Sequence, residues 1–185
     1  MNVLVAYASR HGSTAGIAER IAATLTERGH PARALPVEEV DALDGYDAVV
    51  LGGAAYVLHW LKHATGFAHR HRTELAAMPL WLFSSGPLGT DAVDEKGRDV
   101  LETTRPKEFD ELTETLKPRG TTVFFGAYDP DAPPVGVVER LTHHLPAADA
   151  MPAGDFRDWD AIEAWAGEIA DGLDADAARS APSGG

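Results

Sequence analysis

Three observations predict that this chain folds as a doubly wound α/β domain, with a five-stranded parallel sheet and helices on both faces. Apolar strands alternate with helices of ten or more residues. The chain begins on a short aliphatic strand of the kind buried in parallel sheets, and that strand runs through a Ser/Gly/Thr loop directly into a helix. Helical crossovers make right-handed connections, and the expected strand order is 2-1-3-4-5. In that order a ligand site lies between the first and third strands, beyond their C-terminal ends.

The first strand spans residues 2–7. From Thr14, the residues Ile17, Ala18, Ile21, Ala22 and Leu25 recur at helical spacing, so a helix starts where the hydroxyls end and closes near Arg28 and Gly29. Residues 31–37 read as a strand of modest hydrophobicity, suited to a sheet edge, and 47–53 as a fully buried one. A helix over 62–76 leads to the apolar strand 79–83. A loop rich in Gly, Pro and Asp follows over 84–97, then a helix over 106–116 and the fifth strand over 120–127. The last helix starts at Trp159 and runs to about Gly172, with Ile162, Trp165, Ala166 and Ile169 on one face and Asp158 as its cap.

At 185 residues the chain suits one domain, expected over residues 1–172. The Ala, Asp, Ser, Pro and Gly of residues 173–185 are too polar to bury much surface and read as a flexible tail. There is no cysteine, which excludes disulfides, thiolate nucleophiles and cysteine-bound metal, so redox chemistry has to come from a bound cofactor. A formal net charge of −13 argues against nucleic acid and anionic membrane partners and suits steered docking onto basic ones. It also disfavours added negative charge on a fully reduced cofactor and predicts a low reduction potential for the second electron. No run is long enough to span a membrane and no basic leader opens the chain, so a cytoplasmic location is expected.

The candidate site begins with Ser9, Arg10, His11, Gly12, Ser13 and Thr14. The first-turn N–H groups of a helix lack intrahelical partners and carry partial positive charge, so a phosphate is a natural ligand there. Gly12 lets the backbone come close and the hydroxyls can donate to phosphate oxygens. The simpler alternative is that these hydroxyls only cap the helix.

Two further loops meet at the same point of the predicted sheet. Gly53, Ala54, Ala55 and Tyr56 expose backbone that can bind the polar edge of a ring, with Tyr56 or Trp60 as an aromatic wall. Ser84, Ser85, Gly86, Pro87 and Gly89 have the same small, polar character. His59 and His63 lie four apart, but no third metal ligand accompanies them, and His69 and His71 read as solvent-facing. No Gly-x-Ser-x-Gly elbow or Gly-x-Gly-x-x-Gly fingerprint occurs.

Val5, Tyr7, Ser9, Gly12, Thr14, Ala18 and Ile21 fit the flavodoxin signature, with Ala6 smaller than the pattern asks. The chain therefore resembles the flavodoxin family over about residues 1–172. The resemblance implies noncovalent FMN, its phosphate in the loop of residues 9–14 and its ring lined by the two other loops. Arg10 followed by a polar residue and Gly is similar to the menaquinone-dependent protoporphyrinogen oxidase branch of that family. So are a long stretch between residues 128 and 155, which carries Val135, Val138, Leu141 and Leu145 at amphipathic spacing, and the run Gly154, Asp155, Phe156, Arg157, Asp158, Trp159. The expected function is that of an FMN redox protein passing electrons to a partner protein or a small-molecule or quinone acceptor. The alternatives are a protoporphyrinogen oxidase-like enzyme and a flavin-free interaction module.

Overall fold

The sheet is built outward from β1 (Val3–Ala8), whose side chains alternate between two cores. β2 (Ala32–Pro36) pairs with one edge of β1 and β3 (Ala48–Tyr56) with the other. β5 (Leu80–Ser85) and β6 (Gly120–Phe124) extend the sheet beyond β3. The order β2-β1-β3-β5-β6 is parallel throughout and matches the expected 2-1-3-4-5 once the short antiparallel β4 (His59–Trp60) is set aside. The computed structural model describes residues 1–129 and 152–180. The expected amphipathic segment with Val135, Val138, Leu141 and Leu145 lies outside the described residues.

One face of the sheet, with Val3, Val5, Val50 and Phe83, packs against α1 (Ser13–Glu27) and a C-terminal helix here called α6 (Trp159–Ser180). Ile17, Ile21 and Leu25 of α1 are fully buried, each worth roughly 1.5–3 kcal/mol over exposure. The other face, with Leu4, Leu51, Leu80 and Leu82, packs against α2 (Lys62–Arg70), α3 (Arg72–Ala77) and α5 (Glu108–Leu116). Between β5 and α5 lies the single turn α4 (Val100–Thr103), which Asp99 caps by accepting from the Glu102 N–H at 3.1 Å.

Several boundaries differ from the sequence reading. The helix expected over 62–76 is broken at His71, whose ring is buried and packs on Phe67 at 4.6 Å. His71 is thus a core residue and not a solvent-facing one. The fifth strand stops at Phe124, and Ala127–Tyr128 leaves the sheet as β7, pairing antiparallel with β8 (Gly154–Asp155). The final helix does not end near Gly172. It continues to Ser180 because Leu173 is buried and Asp176 pairs at 2.5 Å with Arg119, just ahead of β6. Asp158 caps this helix as expected, accepting from the Ala161 N–H at 3.0 Å.

Candidate functional site

The C-terminal ends of β1, β3 and β5 open into a cavity of about 280 Å³. It is lined by Ser9, Arg10, His11, Ser13 and Thr14 after β1, by Ala54, Ala55, Tyr56 and Val57 around β3, and by Ser85, Gly86 and Leu88 after β5. Gly126, Ala127 and Tyr128 close it from the fourth side. The parallel register brings these loops together: Ala8 lies beside Gly53, and Gly53 beside Ser84.

The first turn of α1 faces this space with no side-chain cap and no acidic residue. Gly12 stands at the cap position with φ of 80°, a left-handed backbone that costs glycine little. None of the hydroxyls serves as the cap. Ser9 Oγ accepts from the Gly12 N–H at 3.1 Å, and Ser13 Oγ accepts from the Ala127 N–H at 2.8 Å. Thr14 Oγ1 shares a buried 2.7 Å hydrogen bond with Ser85 Oγ. The simple capping alternative is therefore set aside for this helix, and the hydroxyls of Ser13 and Thr14 tie the loops to one another.

On the opposite side, β3 runs three residues past Gly53 and turns back into β4 through Val57 and Leu58, both left-handed at φ of 51° and 63°. This is a hairpin, not the open loop that the sequence suggested. Its base is firmly held: the Trp60 indole N–H donates to the Gly53 carbonyl at 2.9 Å, and the Trp60 amide to Glu108 Oε2 at 3.0 Å. The Lys107 N–H donates to the Leu58 carbonyl at 3.0 Å. Burial works to raise the Glu108 pKa, but the Trp60 amide and His59 outweigh it and hold the carboxyl below its ordinary value.

Five predicted residues lie outside the cavity lining, and each has a structural use. A Cβ on Gly53 would sit 2.7 Å from Trp60 Nε1, so Gly53 is small to admit the indole. Ser84 is buried and donates to the Gly53 carbonyl at 3.3 Å. The Pro87 carbonyl accepts from the Gly126 N–H at 2.9 Å, and Gly89 bends the chain with a positive φ of 108°. Gly12 borders an adjoining hollow. Trp60 is 3% exposed and packs edge-on against Phe109 at 5.2 Å, so of the two anticipated aromatics Tyr56 lines the cavity, together with Tyr128. Tyr56 is 43% exposed, with the Arg10 guanidinium 5.1 Å over its ring. His59 turns to Glu108 and His63 to Glu38, two separate carboxylates.

Val57, Leu88, Gly126, Ala127 and Tyr128 were not anticipated. The Gly126, Ala127, Tyr128 run repeats the small-then-aromatic pattern of Gly53 to Tyr56 after a buried strand, which was a readable signal.

The flavodoxin domain family model matches residues 4–142. The chain belongs to the flavodoxin domain family. A mutant flavodoxin from Pseudomonas aeruginosa superposes with a TM-score of 0.56 at 17% identity, over 94% of this chain and 99% of that one. Rubredoxin oxygen:oxidoreductase from the anaerobe Desulfovibrio gigas gives 0.57 at 14% identity, over 94% of this chain and 36% of that one. The flavodiiron core of Flv1 from Synechocystis sp. PCC6803 gives 0.62 at 13% identity, covering 95% and 36%. The chain thus spans about a third of those two longer proteins. At such identities these likenesses speak for the fold. No curated protein matches the chain significantly. These findings support a flavin-binding redox protein and lend no support to the protoporphyrinogen oxidase branch.

The family implies FMN, and the site fits it. An uncapped helix N-terminus with no acidic residue in its first turn suits the phosphate, and small residues with two tyrosines suit a flat ring. Among the described residues, no helix is long and apolar enough to cross a membrane.

Proposed function

We propose that this chain carries electrons between a donor and an acceptor through noncovalent FMN. In this reading the loop of Ser9, Arg10, His11, Gly12, Ser13 and Thr14 takes the phosphate, and Ala54, Ala55 and Tyr56 flank the ring opposite Ser85 and Gly86. The observation that carries it is the first turn of α1, left without a cap and opening into the cavity between the two ring loops. When bound, FMN supplies one- and two-electron chemistry that a cysteine-free chain lacks.

The chain's own residues bind and orient. Backbone N–H groups of the first turn hold charge, and Arg10 adds positive potential beside them. Tyr56, stacked under Arg10, screens one side of the cavity from water. The acidic surface favours a partner with a basic docking face, in a cytoplasmic setting.

The test is titration of the flavin-free protein with FMN, followed by its visible spectrum and then photoreduction. Saturable binding is expected, lost in the triple variant Ser9→Ala, Ser13→Ala, Thr14→Ala with its far-UV spectrum intact. Slow reoxidation by a menaquinone analogue supports the carrier. Rapid quinone-linked reoxidation with porphyrinogen consumption would replace the carrier with an oxidase, and absence of flavin binding would leave the interaction module.

A further inference from the structure

The run from Gly154 to Trp159 lies far along the chain from the loop at residues 9–14, yet it packs on the first turn of α1. Arg157 is the centre of this packing. Its Nη1 donates to the Ser13 carbonyl at 3.3 Å, while Nε and Nη2 grip the two oxygens of Asp155 at 2.7 and 2.6 Å. The guanidinium stacks over Trp159 at 4.4 Å, and the Arg157 side chain is 17% exposed. Gly16 makes room for it, because a Cβ there would stand 2.5 Å from Nη1.

The same turn is tied from its other side. The Phe156 N–H donates to the Gly126 carbonyl at 3.0 Å, the neighbouring Ala127 N–H reaches Ser13 Oγ, and Thr14 bonds Ser85. Ser13 is therefore held at both its carbonyl and its hydroxyl by segments that follow β6. A carbonyl has two lone pairs, so the Arg157 contact adds to the helix bond at Ser13 without displacing it.

We infer that Arg157, seated on Gly16 and oriented by Asp155 and Trp159, is a positioning residue that fixes the first turn of α1 as an anion site. It acts through the Ser13 carbonyl. It sets the direction of N–H groups that would meet a phosphate, and so governs discrimination between a phosphorylated flavin and its unphosphorylated form. This inference rests on the proposed reading of residues 9–14 as the FMN phosphate loop.

The experiment measures dissociation constants for FMN and for riboflavin on the flavin-free full chain, in the wild type, Arg157→Ala, Arg157→Lys and Gly16→Ala. If the wild type binds FMN no more tightly than riboflavin, the phosphate-loop reading itself fails. With a wild-type preference in place, Arg157→Ala should weaken FMN about tenfold and leave riboflavin nearly unchanged. Arg157→Lys, which cannot grip Asp155 with a planar fork, should fall between. Gly16→Ala is the sharper variant. Alanine favours a helix interior over glycine, so stability should hold or rise while the displaced guanidinium loses FMN selectivity. Equal weakening of both flavins, or an unchanged ratio in Gly16→Ala and Arg157→Ala, would overturn the inference.

Discussion

On the α1 side of the cavity, short polar side chains pair with one another or with backbone N–H groups of neighbouring loops, and the glycine at position 12 takes the left-handed backbone. On the hairpin side, two bulky apolar residues, Val57 and Leu58, are held in left-handed backbone and Val57 is 92% exposed. The first wall is relaxed and cross-linked by hydrogen bonds. The second is strained at its tip and depends on a buried indole at its base. Residues held in such backbone persist only where their surroundings over-determine them, and here Trp60, Glu108 and Lys107 do so. The hairpin keeps its shape by packing, the α1 turn by polar pairing.

Variants in the hairpin base should break this contrast most. Trp60→Ala removes a buried indole that fills the space beside Gly53, and a loss of about 3–5 kcal/mol is expected in urea unfolding of the flavin-free protein. On the other wall, Thr14→Val leaves the buried Ser85 hydroxyl without its partner and should cost about 1–3 kcal/mol by the same measurement. If Trp60→Ala cost less than Thr14→Val, the assignment of packing to one wall and pairing to the other would be wrong.

A change of opposite sign sharpens the comparison. Val57→Gly relieves a left-handed conformation that costs a β-branched residue roughly 1–2 kcal/mol, partly offset by the entropy of glycine, so a net gain of about 1 kcal/mol in thermal stability is expected. No substitution of Gly12 should stabilise, because its φ of 80° penalises any side chain.

The smallest effect concerns acid. Glu108 is held below its ordinary pKa, so its contribution is complete above the unfolded value and lost as pH falls through the lowered one. Asp155 behaves alike, held down chiefly by hydrogen bonding from Arg157. The stability difference between wild type and Glu108→Gln should shrink as pH drops below about 4, read from unfolding curves at stepped pH. A constant difference would remove Glu108 from the hairpin anchor.

Much of this was legible in the chain. Alternating strands and helices, the aliphatic periodicity of Ile17, Ile21 and Leu25, and the hydroxyl-rich turn after β1 are local patterns, and local patterns fix element type and parallel topology. What escaped was the direction of each side chain. Ser13 and Thr14 carry the right chemistry for an anion, yet their hydroxyls point to Ala127 and Ser85, residues far along the chain. Trp60 and Tyr56 looked equivalent as aromatics, and only the space beside Gly53 took one of them into the core.

The sequence by itself determined the doubly wound sheet and the meeting of three loops at its C-terminal edge, and it left any redox chemistry to a bound group. Short-range periodicity and the absence of cysteine suffice for those. Tertiary structure alone decided which hydroxyls are spent as ties, that the β3 loop is a strained hairpin and that Arg157 reaches back to Ser13. Those outcomes depend on contacts between distant residues, settled by space and by competition for hydrogen-bond partners, and no local pattern encodes them.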